Sequence, residues 1–292
     1  MTGKAPSVTL NNGIKMPVLG LGVYQASPED TVRAVTVAID QGYRLIDTAK
    51  AYGNEAQVGE AIRASGTDRD ELFVTTKLWL TDYGFESALR AFDASMTRLG
   101  LDRLDLYLLH WPTRDFDATV QSYKALEKLL ADGRTRAIGV CNHTAGQLDA
   151  LIAQTNIVPA VNQVELHPYF TQPELRAKDR MLGIVTEAWS PIGGVKRYWA
   201  SDGKDGNPLA DPVLKSIGDA HGKTPAQIIL RWHVQNGVVA IPKSVHVNRI
   251  AENIDIFDFE LSGKEMARID ALNADARGGP DPVEVDTKSF SQ

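Results

Sequence analysis

Residues 42–55 hold the side chains best suited to chemistry in this chain. Their apolar beginning predicts a strand that ends at Asp47, followed by a loop that carries Tyr52. Polar groups at the carboxyl ends of strands commonly form the active sites of α/β proteins. We therefore expect Tyr52 to donate a proton and Asp47 to support it. Taken alone, Asp47 could instead anchor a loop, and Asn54 is expected to cap the next helix.

Two further predicted strands place ionisable groups beside this pair, since strand three ends at Lys77 and strand four at His110. An ammonium ~4 Å from a phenol at an effective dielectric of ~20 contributes about 4 kcal/mol, or roughly three pKa units. Lys77 is therefore expected to bring the pKa of Tyr52 towards neutrality, where acid catalysis works best. Asp47 would keep Lys77 charged, and His110 would orient a carbonyl oxygen.

The sequence also permits two other interpretations of Lys77. A buried Lys–Asp pair can be an inert salt bridge, but Tyr52 and His110 at the same place favour catalysis. A lyase or isomerase that forms a Schiff base on Lys77 is disfavoured, because Asp47 would hold the lysine protonated.

Strand-like and helix-like segments alternate along the whole chain, and the alternation predicts how these groups are positioned. Strands are predicted to begin near residues 18, 43, 72, 104, 135, 158, 183 and 238. Most intervals match one βα unit, and eight such units predict a single (β/α)₈ TIM barrel over residues 1–292. An open doubly wound sheet is the second choice, but residues 20–25 lack the third glycine of a dinucleotide fingerprint.

Both ends of the chain and one insertion are expected to form additional elements outside the eight βα units. Residues 7–17 predict a β-hairpin with its turn at Asn11, Asn12 and Gly13. The insertion before strand eight predicts two helices, around residues 213–220 and 225–235. Its first part, residues 191–208, and a C-terminal tail from Asn273 are expected to complete the pocket, and the tail is expected to lie over the barrel mouth.

Composition narrows the class of protein. The 292 residues carry a net charge of −6, which argues against a nucleic-acid partner. Cys141 is the only cysteine, so an intrachain disulfide is impossible, and no Cys/His cluster has metal-ligand spacing. No apolar run has the length of a membrane helix or signal peptide. We expect a cytoplasmic, monomeric protein without a metal, a membrane or a nucleic-acid partner.

Five stretches resemble signature segments of the aldo-keto reductases, namely residues 42–55, 101–112, 138–142, 162–169 and 241–253. The chain is most similar to the prokaryotic branch that contains 2,5-diketo-gluconate reductases. The resemblance implies an NADPH-dependent reductase of aldehydes, ketones or keto-sugars, with hydride from the nicotinamide and the proton from Tyr52. Its catalytic tetrad would be Asp47, Tyr52, Lys77 and His110. A non-enzymatic redox sensor that binds nicotinamide on the same fold is the alternative, and the intact tetrad favours the enzyme.

The resemblance also implies where the cofactor and substrate bind. A Lys and an Arg match a phosphate dianion, so Lys243 and Arg249 would select the 2′-phosphate of NADPH. His246 stands where a permanent charge could bind more strongly, so NADH is expected to bind with lower affinity. Tyr24, Trp79 and Trp111 would form the substrate walls. The full cofactor set is expected to be Gly22, Val23, Asp47, Cys141, Asn142, Gln163, Trp189, Ser190, Ile192, Lys243, Ser244, Arg249, Glu252 and Asn253, with Cys141 replacing the usual Ser.

Overall fold

A computed structural model describes residues 5–193, 207–286 and 289–290 of the chain. In these residues, eight parallel strands follow one another around a nearly closed barrel in chain order. They are β3 (Gly20–Gly22), β4 (Leu45–Asp47), β5 (Phe73–Leu78), β6 (Leu104–Leu109), β7 (Thr135–Cys141), β8 (Val161–Glu165), β9 (Val185–Trp189) and β10 (Val239–Ala240). The predicted (β/α)₈ barrel is confirmed.

Single bridges between the first and last strands complete the circle, pairing Leu19 with Ala240 and Gly22 with Lys243. The N–H of Gly22 donates to the carbonyl of Pro242 at 3.1 Å. A Cβ on Gly22 would lie 2.9 Å from the Ile241 carbonyl oxygen, too close for any other residue without a shift. Gly22 therefore allows the strands to approach where the barrel closes.

The described helices surround this barrel, and their starts follow local sequence signals. Ser27 Oγ accepts from the Asp30 N–H, and Thr144 forms a capping box with Gln147. The two helices of the insertion are present where they were predicted. The helices are α1 (Pro28–Asp40), α2 (Glu55–Ala64), α3 (Phe85–Leu99), α4 (Phe116–Ala131), α5 (Ala145–Ile152), α6 (Pro173–Leu182), α7 (Pro212–His221), α8 (Pro225–Gln235), α9 (Val247–Ile254) and α10 (Gly263–Asp270).

The prediction for Asn54 is wrong in its detail. Asn54 does precede α2, but its side chain makes no capping hydrogen bond. Its Oδ1 accepts from the Thr48 hydroxyl at 2.8 Å, and its Nδ2 donates to the Val23 carbonyl at 2.9 Å. Buried polar groups require partners, and Asn54 finds both of these on neighbouring loops. Asn54 therefore ties together the loops after β3 and β4.

The N-terminal hairpin pairs β1 (Ser7–Thr9) with β2 (Lys15–Pro17) and closes the amino end of the barrel. Leu10 and Met16 are buried in the cluster that fills the barrel interior. The Nδ2 of Asn11 donates to the Pro159 carbonyl at 3.0 Å, where the chain enters β8. The predicted hairpin is thus present and acts as a plug.

The C-terminal tail crosses the opposite mouth, as predicted. The Arg114 N–H donates to the Val285 carbonyl at 3.0 Å, and Phe290 lies against Trp79 with ring centroids 5.3 Å apart. Most of the insertion expected to complete the pocket, residues 194–206, lies outside the described residues. None of the described helices is both long and apolar enough to cross a membrane.

Candidate active site

The four predicted catalytic residues meet at the carboxyl end of the barrel. Asp47 is the last residue of β4, Lys77 is the fifth of the six residues in β5, and His110 follows β6 directly. Tyr52 ends a short 3₁₀ turn that follows β4. Parallel strands direct their ends to one rim, so residues far apart in sequence become neighbours.

Lys77 and Asp47 form a buried ion pair at the base of the site. Lys77 Nζ donates to Asp47 Oδ1 at 2.6 Å and to the Thr48 carbonyl at 2.9 Å. Lys77 is 0% exposed and Asp47 is 1% exposed. Burial opposes the charge on Lys77, but Asp47 and the neighbouring Tyr52 and Cys141 together outweigh it, and the pKa of the ammonium is raised. Lys77 is therefore a permanent cation at the bottom of the cleft.

The Tyr52 hydroxyl lies 3.4 Å from Lys77 Nζ, within hydrogen-bond distance. The sequence-based expectation of a pKa near neutrality is wrong for this cleft. Burial raises the pKa of Tyr52 above its ordinary value, and Lys77 lowers it only in part. Loss of water disfavours a phenolate more than one ammonium favours it. Tyr52 is therefore protonated at neutral pH, which is the form a proton donor requires.

His110 is a neutral imidazole at neutral pH. Burial lowers its pKa well below the ordinary value, and the charge of Lys77 lowers it further. Its ring meets Tyr52 and Trp79 edge to face, with centroids 5.6 and 5.0 Å away. A neutral imidazole keeps one N–H donor, and this donor can hydrogen-bond a substrate oxygen next to the Tyr52 hydroxyl.

A cleft of about 320 Å³ opens above these groups. Its walls include Tyr24, Trp79 and Trp111, as expected for the substrate side. Tyr24 lies 4.9 Å from the Tyr52 ring. Phe290 was not predicted to line the site, yet it completes the aromatic wall 5.8 Å from Trp111. The wall therefore presents large apolar faces to a substrate.

Three side chains on neighbouring strands form the middle of the cleft. Trp189 Nε1 donates to Asn142 Oδ1 at 2.8 Å, and Asn142 Nδ2 donates to the His110 carbonyl at 3.1 Å. Asn142 adopts a left-handed backbone, with φ of 61°. Gln163 Nε2 donates to Asp47 Oδ2 at 2.9 Å and to Glu187 Oε2 at 2.8 Å. These bonds hold an indole face and two amides towards the cleft.

The other end of the cleft carries positive charge. Lys243 and Arg249 both line it, and neither forms an ion pair among the described residues. Ser244 is buried at the turn before α9, where its Oγ accepts from the His246 N–H at 3.2 Å. Two unpaired cations beside a helix start favour an anionic ligand group.

Most predicted site residues line this cleft, but six do not. Glu252 accepts a hydrogen bond from Thr224 at 2.7 Å, and Cys141 is buried completely in the barrel interior. Their cofactor contacts stay predictions, together with those of Val23, Ser244 and Asn253. Lys77 lies beneath the cleft and does not line it. Ala51, Leu209 and Ile241 also line the cleft and were not predicted. Pro191, Gly193, Asn207 and Phe290 line it as well; they were not named individually, but they lie in the insertion and the tail that were expected to complete the pocket.

Two buried acids near the site were also missed. Glu165 accepts the N–H groups of Gly278 and Gly279 at 2.7 and 2.9 Å, so it anchors the tail. Glu187 faces the barrel interior beneath Gln163. The sequence did contain a signal for both acids. Each one lies on a largely apolar strand, two positions from a predicted site residue, and therefore on the same face of that strand.

Comparisons with known proteins agree with the fold and the geometry of the site. The model of the Aldo/keto reductase family matches residues 18–274. Morphine 6-dehydrogenase of Pseudomonas putida is 64% identical over 100% of this chain and 99% of its own length. Glyoxal reductase of Bacillus subtilis is 48% identical over 97% of this chain and 99% of its own length.

A solved structure extends the comparison to the fold. The aldo-keto reductase of Bombyx mori in complex with NADP is 37% identical, with a TM-score of 0.87 over 95% of this chain and 96% of its own. A closed α/β barrel with polar residues gathered at its carboxyl rim defines an enzyme-type scaffold. The chain belongs to the aldo/keto reductase family, a family of oxidoreductases.

Proposed function

We propose that this protein is an NADPH-dependent reductase of aldehydes, ketones or keto-sugars, with Tyr52 as the proton donor. One observation carries the proposal. A fully buried ammonium, Lys77, is bonded to Asp47 at 2.6 Å and lies 3.4 Å from the Tyr52 hydroxyl, below an aromatic cleft. A lysine that served only in a surface salt bridge or in packing would not need to lie beside a phenol inside the barrel.

The residues of the cleft suit a nicotinamide dinucleotide at both of its ends. Lys243 and Arg249 offer unpaired cations for the adenosine 2′-phosphate, and Trp189, Asn142 and Gln163 offer a flat face and amides for the nicotinamide. When bound, NADPH would supply the hydride. The complex of NADP with the Bombyx mori relative supports this choice of cofactor.

The side chains of this chain would handle the proton. As hydride reaches the carbonyl carbon, the C=O π bond breaks and its electrons move to the oxygen, which takes the proton of Tyr52. An alkoxide is more basic than a phenolate, so this transfer is favourable despite the raised pKa of Tyr52. Lys77 then stabilises the phenolate until solvent returns the proton. Neutral His110 would donate a hydrogen bond that holds the carbonyl oxygen at Tyr52.

The names of the relatives widen the range of substrates to test. A morphine 6-dehydrogenase and a glyoxal reductase point to compounds of very different size. The aromatic walls Tyr24, Trp79, Trp111 and Phe290 favour a compound with a flat apolar face. We therefore place morphine with NADP⁺ and glyoxal with NADPH beside aromatic aldehydes, diketones and keto-sugars in one panel.

The experiment follows the near-ultraviolet absorbance of NADPH with each compound, for wild type and for Tyr52→Phe. We expect turnover of at least one compound by the wild type and loss of turnover in the variant. Binding of NADPH without turnover of any carbonyl would favour the redox-sensor alternative. Failure to bind NADPH would contradict the cofactor assignment. A single monomeric, cytoplasmic domain stays a prediction.

A further inference from the structure

Glu187 is a buried acid that the reaction described above does not use. It is the third residue of β9, in register with Gln163 on β8 and Val239 on β10. Its side chain is 0% exposed inside the barrel. Its Oε2 accepts from Gln163 Nε2 at 2.8 Å, and its Oε1 has no partner among the described residues. Burying a carboxyl group with one unpaired oxygen is unfavourable, so a contribution of Glu187 to the site is expected.

The amide of Gln163 stands between two acids. Its nitrogen donates one N–H to Asp47 Oδ2 at 2.9 Å and the other to Glu187 Oε2. An amide nitrogen has two N–H donors, so both are used. Turning the amide over would place its oxygen against the Asp47 carboxylate, which only accepts hydrogen bonds. The amide oxygen is therefore directed away from the two acids, and Gln163 lines the cleft.

We infer that Glu187 is a positioning residue that locks the Gln163 amide with its oxygen towards the cleft, where it accepts a hydrogen bond from the carboxamide of the nicotinamide. The inference rests on the proposed function, since it requires that cofactor in the cleft. Asp47 alone would hold only one of the two N–H groups. The second acceptor restricts rotation about the end of the Gln163 side chain.

The electrostatics agree with a role as a neutral acceptor. Burial raises the pKa of Glu187 to about 8, and the charge of Asp47 contributes to the rise. Glu187 therefore holds a proton at neutral pH, and Oε2 still accepts from Gln163. Glu187→Gln keeps an acceptor oxygen at the same place, so it serves as the conservative variant. Glu187→Met keeps the length of the side chain but removes the acceptor.

The test compares two ligands by quenching of tryptophan fluorescence. NADP⁺ contains the nicotinamide carboxamide, and adenosine 2′,5′-bisphosphate lacks it. For Glu187→Met we expect NADP⁺ to bind about tenfold more weakly or worse, the usual consequence of losing one well-placed hydrogen bond. The bisphosphate should bind as in wild type, because its predicted partners, Lys243 and Arg249, are untouched. Glu187→Gln should bind both ligands as wild type does.

A double-mutant cycle separates positioning from general damage. In a Gln163→Met background, Glu187→Met should cause no further loss of NADP⁺ affinity, because the amide it positions is gone. Equal NADP⁺ affinity in wild type and Glu187→Met would overturn the inference, as would additive losses in the cycle. If Glu187→Met does not fold, loss of NADP⁺ affinity in Glu187→Gln would overturn it instead. Wild type that binds the bisphosphate but not NADP⁺ would refute the proposed function itself.

Discussion

Replacing Lys77 by Met tests how much the ammonium contributes to proton transfer by Tyr52. Its Nζ lies 3.4 Å from the phenol oxygen, and the Lys77 side chain is 0% exposed. Two unit charges at that distance interact by about 5 kcal/mol at an effective dielectric of ~20, equivalent to roughly 3.5 pKa units. Lys77→Met should therefore raise the pKa of Tyr52 further and lower kcat/KM by ~10²-fold or more.

The assay needs a control for folding, because Lys77→Met leaves Asp47 as an uncompensated buried charge. Breaking one partner of a buried pair costs about 3–5 kcal/mol of stability, whereas replacing both partners is often neutral. Asp47→Asn with Lys77→Met should therefore melt close to wild type in thermal circular dichroism. It should nevertheless stay as inactive as the single variant. A double variant that melts normally and keeps most of the wild-type kcat/KM would show that the pair is an inert salt bridge.

Three other predictions follow from the same site. Lys243→Ala with Arg249→Ala should weaken the binding of NADPH by roughly a hundredfold in fluorescence titration and leave the binding of NADH nearly unchanged, since two charge-assisted hydrogen bonds are lost only for NADPH. Equal weakening of both affinities would contradict the 2′-phosphate assignment. Glu187 has a folded-state pKa of about 8 against an ordinary 4.5, so the folded protein holds this proton more tightly and loses stability as pH rises between these values. The melting temperature of Glu187→Gln relative to wild type should thus rise across that interval and level off above it; a constant difference would refute the buried titration. Gly22→Ala should lower the melting temperature, because its Cβ meets the Ile241 carbonyl at 2.9 Å; an unchanged value would show that the barrel closure yields easily.

The barrel could be predicted because its strands carry strong local signals. The apolar run at Leu104 predicted a strand start, and β6 begins at that residue. The start of β8 was predicted three residues early, since Val158 and Pro159 continue the apolar pattern before the first ladder bond at Val161. Convergence of the four tetrad residues followed from topology alone, because every parallel strand ends at one rim.

Other features depend on burial and on distant contacts, which a local pattern does not contain. The pKa of Tyr52 is raised because the folded chain removes water around it, and no spacing of residues reveals that loss. Asn54 found partners on two other loops instead of its helix. Phe290 reaches the aromatic wall from a tail without periodicity. The Gln163–Glu187 bond requires the register of two strands, which the sequence does not specify.

The central claim is that Tyr52 donates the proton. Tyr52→Phe keeps the ring and its packing against Tyr24 and His110, and removes only the hydroxyl beside Lys77. The decisive measurement is kcat for carbonyl reduction by this variant, made together with the Kd for NADPH. We predict a fall in kcat of ~10²-fold or more with the Kd unchanged, because general acid catalysis contributes ~10²–10⁴-fold. Reduction at the wild-type rate by Tyr52→Phe would contradict the assignment of the proton donor.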